Sequence, residues 1–189
     1  MKTIRILTGD PAKAGDAFGI VGLEGTYPDK KIYVRHARQF KRKSYNTIAN
    51  YFFELNNKVK FNMMLLEKNF DYENLLKAFS KLDIKYVTTT GNLSEKNRPL
   101  GWAVDKPFMM NWMRNQYRLH NIQYPTGKKS DDIKELINQQ NEMDGITAPS
   151  GHISYKRTRG RHDDLFMAKL IGCNVIRIWW EEQRLLDVK

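Results

Sequence analysis

The sequence carries one cysteine, Cys173, at the end of the apolar stretch LFMAKLIGC. No disulfide can form within the chain, so the fold has to stand on its packed core, and a lone thiol suits a reducing compartment. In that setting Cys173 reads as a small buried side chain. No apolar run approaches the roughly 20 residues that cross a bilayer, and the N-terminus lacks the charged-then-apolar pattern of a signal peptide. The chain therefore reads as soluble and intracellular, with no membrane partner. The GxxxxGK[ST] phosphate loop is missing as well. Its nearest approximation, TGKKS at residues 126–130, has one glycine and no spaced partner before it, which excludes an ATPase of that class. The four histidines, His36, His120, His152 and His162, show no HExxH spacing. With a single cysteine they do not complete a structural zinc site. No GxSxG context offers a covalent nucleophile.

What is present is enough for one domain over residues 1–189, with 41% hydrophobic residues. The net charge is +11 and the pI about 9.7. A surface this basic gains free energy by releasing counterions from a polyanion, so a phosphate-rich partner is expected. The cations fall into two groups: Lys30, Lys31, Arg35, Arg38, Lys41, Arg42 and Lys43, then Lys156, Arg157, Arg159 and Arg161. Either group reads as a nucleic-acid contact or as a solvated face, and the second abuts an acidic pair.

Residues 3–9 are rich in β-branched side chains and run into Asp10-Pro11, which predicts a strand ending at Asp10. Residues 17–24 and 31–38 read as two further strands, and their short connections favour an antiparallel meander. From Ser44 to Asn56 the apolar positions Ile48, Tyr51, Phe52 and Leu55 recur at helical spacing, with Ser44 as N-cap. VKFNMMLLE, DYENLLKAFSKL and KYVTTTG then read as strand, helix and strand, which predicts a parallel pair. Helices are expected over Lys106–Leu119, with a proline near the start, and over Ser130–Asn141. ITAPSGHISYKRTRGR reads as a strand or hairpin, and DDLFMAKLIGC as a final helix opened by two acids. Trp179 and Trp180 close the apolar segment NVIRIWW, where they read as packing residues or as aromatics free to stack on a base or a subunit.

Asp10, Glu67, and Asp163 with Asp164 each fall at the end of a predicted element. Taken singly, Asp10 also reads as a turn residue, Glu67 as a solvated strand end, and the aspartate pair as N-caps. If the first and fourth strands are neighbours, all of them meet at one edge of a sheet. Gathered carboxylates repel one another and are driven toward protonation unless a cation neutralises them. Mg²⁺ or Mn²⁺ takes oxygen ligands and keeps waters for substrate oxygens. Two such ions about 3.5–4 Å apart serve in-line phosphodiester hydrolysis.

TGDPAKAGDAFGIVGLE resembles the first hairpin of large terminase nuclease domains of tailed phages and related viruses, in which a metal-binding aspartate precedes a small-residue turn. MMLLEKNF is similar to that family's second acidic strand, and GRHDDLFMAKLIGC to its terminal segment. GWAVDKPFMMNWM resembles its tryptophan and lysine stretch entering a helix, so the likeness spans nearly the whole chain. The resemblance implies an α/β, ribonuclease H-like mixed sheet, with an antiparallel three-strand meander plus parallel strands, flanked by helices.

It also implies a two-metal DNA endonuclease with Asp10, Glu67, Asp163 and Asp164 as catalytic metal ligands and Asp16 and His162 as auxiliaries; for His162 a local structural role stays open. The expected substrate is duplex DNA cut with little sequence preference, as concatemeric viral DNA in the host cytoplasm. An ATPase motor domain and a portal or small terminase subunit are implied partners. A junction resolvase or repair nuclease of the same fold, and a non-catalytic DNA-binding module, are the alternatives. Retention of every acid speaks against the last, since a binding surface has no need of carboxylates facing phosphates.

Overall fold

The computed structural model describes residues 1–11, 17–68, 71–90, 102–147, 153–157 and 163–187. Strands β1 (Lys2–Pro11), β2 (Ala17–Tyr27) and β3 (Ile32–Lys41) form the expected antiparallel meander. Helix α1 (Tyr45–Val59) leads to β4 (Met63–Glu67), which lies parallel to β1. Helix α2 (Tyr72–Phe79) then crosses to β5 (Ile84–Thr90), parallel to β4. Strand β6 (Trp102–Asp105) adds a further parallel edge, α3 (Lys106–Arg118) follows, and β7 (Ile122–Gln123) pairs with β3. Helix α4 (Asp131–Asn141), the hairpin of β8 (Met143–Thr147) with β9 (Ile153–Arg157), and α5 (Asp164–Leu186) complete the order. Among the described residues the main sheet has seven strands in the order β6-β5-β4-β1-β2-β3-β7.

The central strands are apolar on both faces because both faces are covered. Successive residues of β1 and β4 serve opposite cores. Ile6 and Leu65 face the α5 side, whereas Leu7 and Leu66 pack with Phe52 of α1 and with Leu75 and Phe79 of α2. Each such fully buried side chain contributes about 1.5–3 kcal/mol.

The helix starts at Ser44 and Ser130 were expected from the sequence, and Asp105 adds a third cap at α3. Ser44 accepts from the Thr47 N–H at 3.3 Å, Asp105 from Phe108 at 2.9 Å and Ser130 from Ile133 at 3.3 Å, each satisfying one orphan donor. Two departures stand out. β6 is a strand where the tryptophan and lysine stretch suggested only entry to a helix. The final helix, expected to span 163–173, runs on through NVIRIWW to Leu186. It is buried on every side from Asp164 to Ile176, as a helix clamped between a sheet and other helices must be. Among the described residues no helix is long and apolar enough to cross a membrane.

Inside that helix sits Lys169, fully buried. Its ammonium donates to Tyr124 Oη at 2.8 Å, to Tyr117 Oη and to Gln140 Oε1. These acceptors offset the loss of water around the charge and tie α5 to α3, α4 and the segment between them.

Candidate metal centre

Asp10 stands near the end of β1, opposite Gly19 of β2, which in turn pairs with Gln39 of β3. Glu67 ends β4 on the other flank of β1. Thus the carboxyl ends of β1 and β4 bring two of the predicted acids together, at the sheet edge where open α/β folds bind their ligands. The Asp10 and Glu67 carboxyls share a hydrogen bond. Burial first, then the charge of Glu67 and of Asp164 and Asp163, pushes the Asp10 carboxyl well above the usual carboxylate range. Burial raises Glu67 as well, with Lys106 opposing. Burial and mutual repulsion therefore favour the protonated form at this pair, whereas both groups would ionise in neutral water.

The aspartates of α5 arrive from above. Asp163 is the N-cap of the helix yet makes no side-chain cap bond, and its Oδ2 lies 3.5 Å from the Lys106 ammonium. Asp164 is buried and lies 3.5 Å from the Gln39 amide nitrogen. The positive end of the α5 dipole favours both charges. What lets the helix come this close is Gly19: a Cβ there would stand 2.4 Å from the Asp164 carbonyl carbon and 2.6 Å from the Leu165 nitrogen. The Thr8 hydroxyl, 2.7 Å from the Ala168 carbonyl, and the Gln139 side chain, accepting from the Phe166 N–H at 3.0 Å, fix the same turn from the sheet and from α4.

Three contributors were not assigned from the sequence. Thr89 of β5 donates to Glu67 Oε1, Lys106 opens α3 beside Asp163, and Gln39 meets Asp164. Only Lys106 had a signal, its place in the GWAVDKPFMMNWM stretch.

Asp16, His162, Arg159 and Arg161 lie outside the described residues, and so do the side chains of Lys156 and Arg157. The cations from Lys30 to Lys43 do not make one patch. β3, about 33 Å long at roughly 3.3 Å per residue, carries Arg35, Arg38 and Lys41 and separates Lys30 and Lys31 at the β2–β3 turn from Arg42 and Lys43 beyond its acidic end. Arg35 pairs with Glu24 at 2.6 Å, Arg38 with Asp132 at 3.6 Å, and Lys31 donates to Asn121 at 3.0 Å. Lys41, Arg42 and Lys43 are exposed at the acidic end.

The donor set is all oxygen, hard and acidic, which fits Mg²⁺ or Mn²⁺ better than zinc or copper. Among the described residues no three His, Cys, Asp or Glu side chains are already spaced to hold an ion. A cation bound beside Asp10 and Glu67 would offset the burial and repulsion that raise both carboxyls.

No family model and no curated relative matches the sequence. Solved structures do match in shape. The chain is similar to the large terminase nuclease of the thermophilic phage G20c, with a TM-score of 0.65 and 11% identity over 90% of this chain and 81% of that one. The nuclease domain of the large terminase subunit gp2 of bacterial virus Sf6 gives 0.62 and 11%, covering 89% and 86%. The P22 large terminase nuclease domain gives 0.58 and 10%, covering 93% and 81%. The fold is that of terminase nuclease domains. The ribonuclease H-like α/β architecture implied by the resemblance is therefore the observed one. The G20c nuclease has also been solved with magnesium and with cobalt.

Proposed function

We propose that this chain is a divalent-metal-dependent endonuclease that hydrolyses phosphodiester bonds of duplex DNA with little sequence preference, and that it cuts concatemeric viral DNA during genome packaging. The observation that carries the reading is the buried Asp10–Glu67 pair, with Asp163 and Asp164 brought onto it by α5. Four acids at one sheet edge destabilise a fold unless a ligand uses them. The neighbours in shape are nucleases, which supplies the chemical class.

In this reading Asp10, Glu67 and Asp163 hold two Mg²⁺ or Mn²⁺ ions, with Asp164 as a further ligand. When bound, the ions supply an activated water and neutralise the leaving oxygen. The chain's own residues do the rest. Thr89 orients Glu67, Gln39 orients Asp164, and Lys106 holds Asp163 and faces the phosphate with positive charge. Lys41, Arg42 and Lys43 grip the DNA backbone beside the site. An ATPase motor domain and a portal or small terminase subunit are the partners this reading implies.

The test is incubation with supercoiled plasmid in Mg²⁺, Mn²⁺ or chelator. Nicking or linearisation that vanishes with chelator is expected, and no cleavage with either metal would leave a DNA-binding module. Comparing linear with branched duplexes separates the packaging reading from a resolvase, which would strongly prefer branches.

A further inference from the structure

Away from the acidic edge, α3, α5 and the β2–β3 turn border an open cavity of about 230 Å³ lined by Lys30, Trp112, Gln116, Arg177, Trp180, Glu181 and Arg184. Arg177 lies thirteen positions after Asp164 on α5, about 20 Å at 1.5 Å per residue, so the cavity is distinct from the metal centre. Its floor is aromatic: the Trp112 and Trp180 rings lie 5.9 Å apart, and Trp180 is pinned by its Nε1 donating to the Thr26 carbonyl at 2.8 Å. The rim is cationic, three basic side chains against one carboxylate, and Glu181 is already bound to Arg177 at 2.7 Å. The buried Nε of Arg177 meets no acceptor among the described residues.

The surroundings choose between classes of occupant. Phe108, 49% exposed, and Leu119, 63% exposed, share the α3 stripe of Trp112, and Leu185, 61% exposed, adjoins Arg184. Arg177 lies 5.1 Å over the Phe108 ring. A phosphate backbone gains nothing from exposed Phe and Leu. A protein surface does, and tryptophan and arginine are the side chains that anchor such contacts. We propose that this α3–α5 surface docks a protein segment with an apolar anchor flanked by carboxylates, the anchor resting on Trp112 and the carboxylates on Lys30 and Arg184.

The full chain, ¹⁵N-labelled, is titrated with a short synthetic peptide of Leu-Phe pairs set among Asp and Glu, and the indole N–H resonances of Trp112 and Trp180 are followed after assignment with Trp112→Phe. A saturable shift with Kd below about 1 mM is expected, weakened at least tenfold by Arg184→Glu and less by Arg184→Ala. Replacing each acid of the peptide by Lys should abolish it. The proposal is overturned if the acidic peptide gives no saturable shift, if Arg184→Glu leaves its affinity unchanged, or if a short DNA duplex moves the two indoles and the peptide does not.

Discussion

Replacing Asp10 by Asn removes one of the charges that α5 and β4 crowd together, while the amide can still hydrogen-bond to Glu67. In the folded chain the Asp10 carboxyl is held well above its ordinary range by burial and by Glu67. Each pKa unit corresponds to about 1.4 kcal/mol between the two protonation states. A carboxylate whose folded pKa is raised costs stability as pH climbs from its unfolded value, near 4, through its folded value. Asp10→Asn is therefore expected to match or exceed the wild type in thermal midpoint at neutral pH without metal. That advantage should shrink as pH falls to 4 and vanish below it, where the wild-type carboxyl becomes protonated in both states. Metal reverses the order. At about 100 times its dissociation constant, an ion that binds only the native state adds roughly 2.7 kcal/mol. For a chain of 189 residues that is about 5–10 °C, at roughly 2–4 °C per kcal/mol. The wild type should gain this shift, with Mn²⁺ acting at lower concentration than Mg²⁺, and Asp10→Asn should gain little. Differential scanning calorimetry in chelator, Mg²⁺ and Mn²⁺ measures both. A variant less stable than wild type without metal, or an equal metal shift in both proteins, would refute the reasoning.

In plasmid cleavage, Asp10→Asn, Glu67→Gln and Asp163→Asn should each lose at least about 100-fold, and Thr89→Val and Lys106→Ala about 10–100-fold, the range typical of groups that orient metal ligands. Near-wild-type rates at matched metal would remove that residue from the site. Gly19→Ala should cost about 1–3 kcal/mol in denaturant unfolding and impair cleavage too, because the added methyl meets the Asp164 backbone; an unchanged midpoint would mean α5 can retreat without loss. Substituting Gln at Lys41, Arg42 and Lys43 should flatten the log–log salt dependence of duplex binding by roughly 0.9 for each phosphate that is no longer neutralised, and an unchanged slope would make them an ordinary solvated face.

The meander, the β4-α2-β5 crossover and two helix caps, Ser44 and Ser130, were legible because each rests on local chemistry: alternation, short connections, and Ser ahead of a helical run. Asp10 and Glu67 were legible as a pair once two strands were taken as neighbours. What local reading missed depends on contacts distant in sequence. Nothing near Thr89 or Gln39 marks them, since one acts through a β4–β5 pairing and the other through a helix 125 residues away. The basic run from Lys30 to Lys43 looked compact in sequence, and an extended strand spread it over the length of the sheet. Lys169 reads as a polar position on a helix, and only the tertiary arrangement gives its ammonium three acceptors in the core.

The length of α5 ties these features together. A carboxylate pair such as Asp163 and Asp164 is useful only if its distance to Asp10 is fixed, and a helix end alone frays. Here the first turn is held by Thr8 from below and Gln139 from the side, the second by Lys169, and the third by Gly172, where a Cβ would stand 2.6 Å from Leu23 Cδ1. Farther on, Trp180 bonds to the Thr26 carbonyl in β2. The helix is thus fastened along most of its length, and charge repulsion at its tip works against the whole sheet contact. Repulsion that would unwind a short helix is instead held at the edge where Asp10 and Glu67 are crowded together, a charge arrangement that a bound divalent cation would relieve.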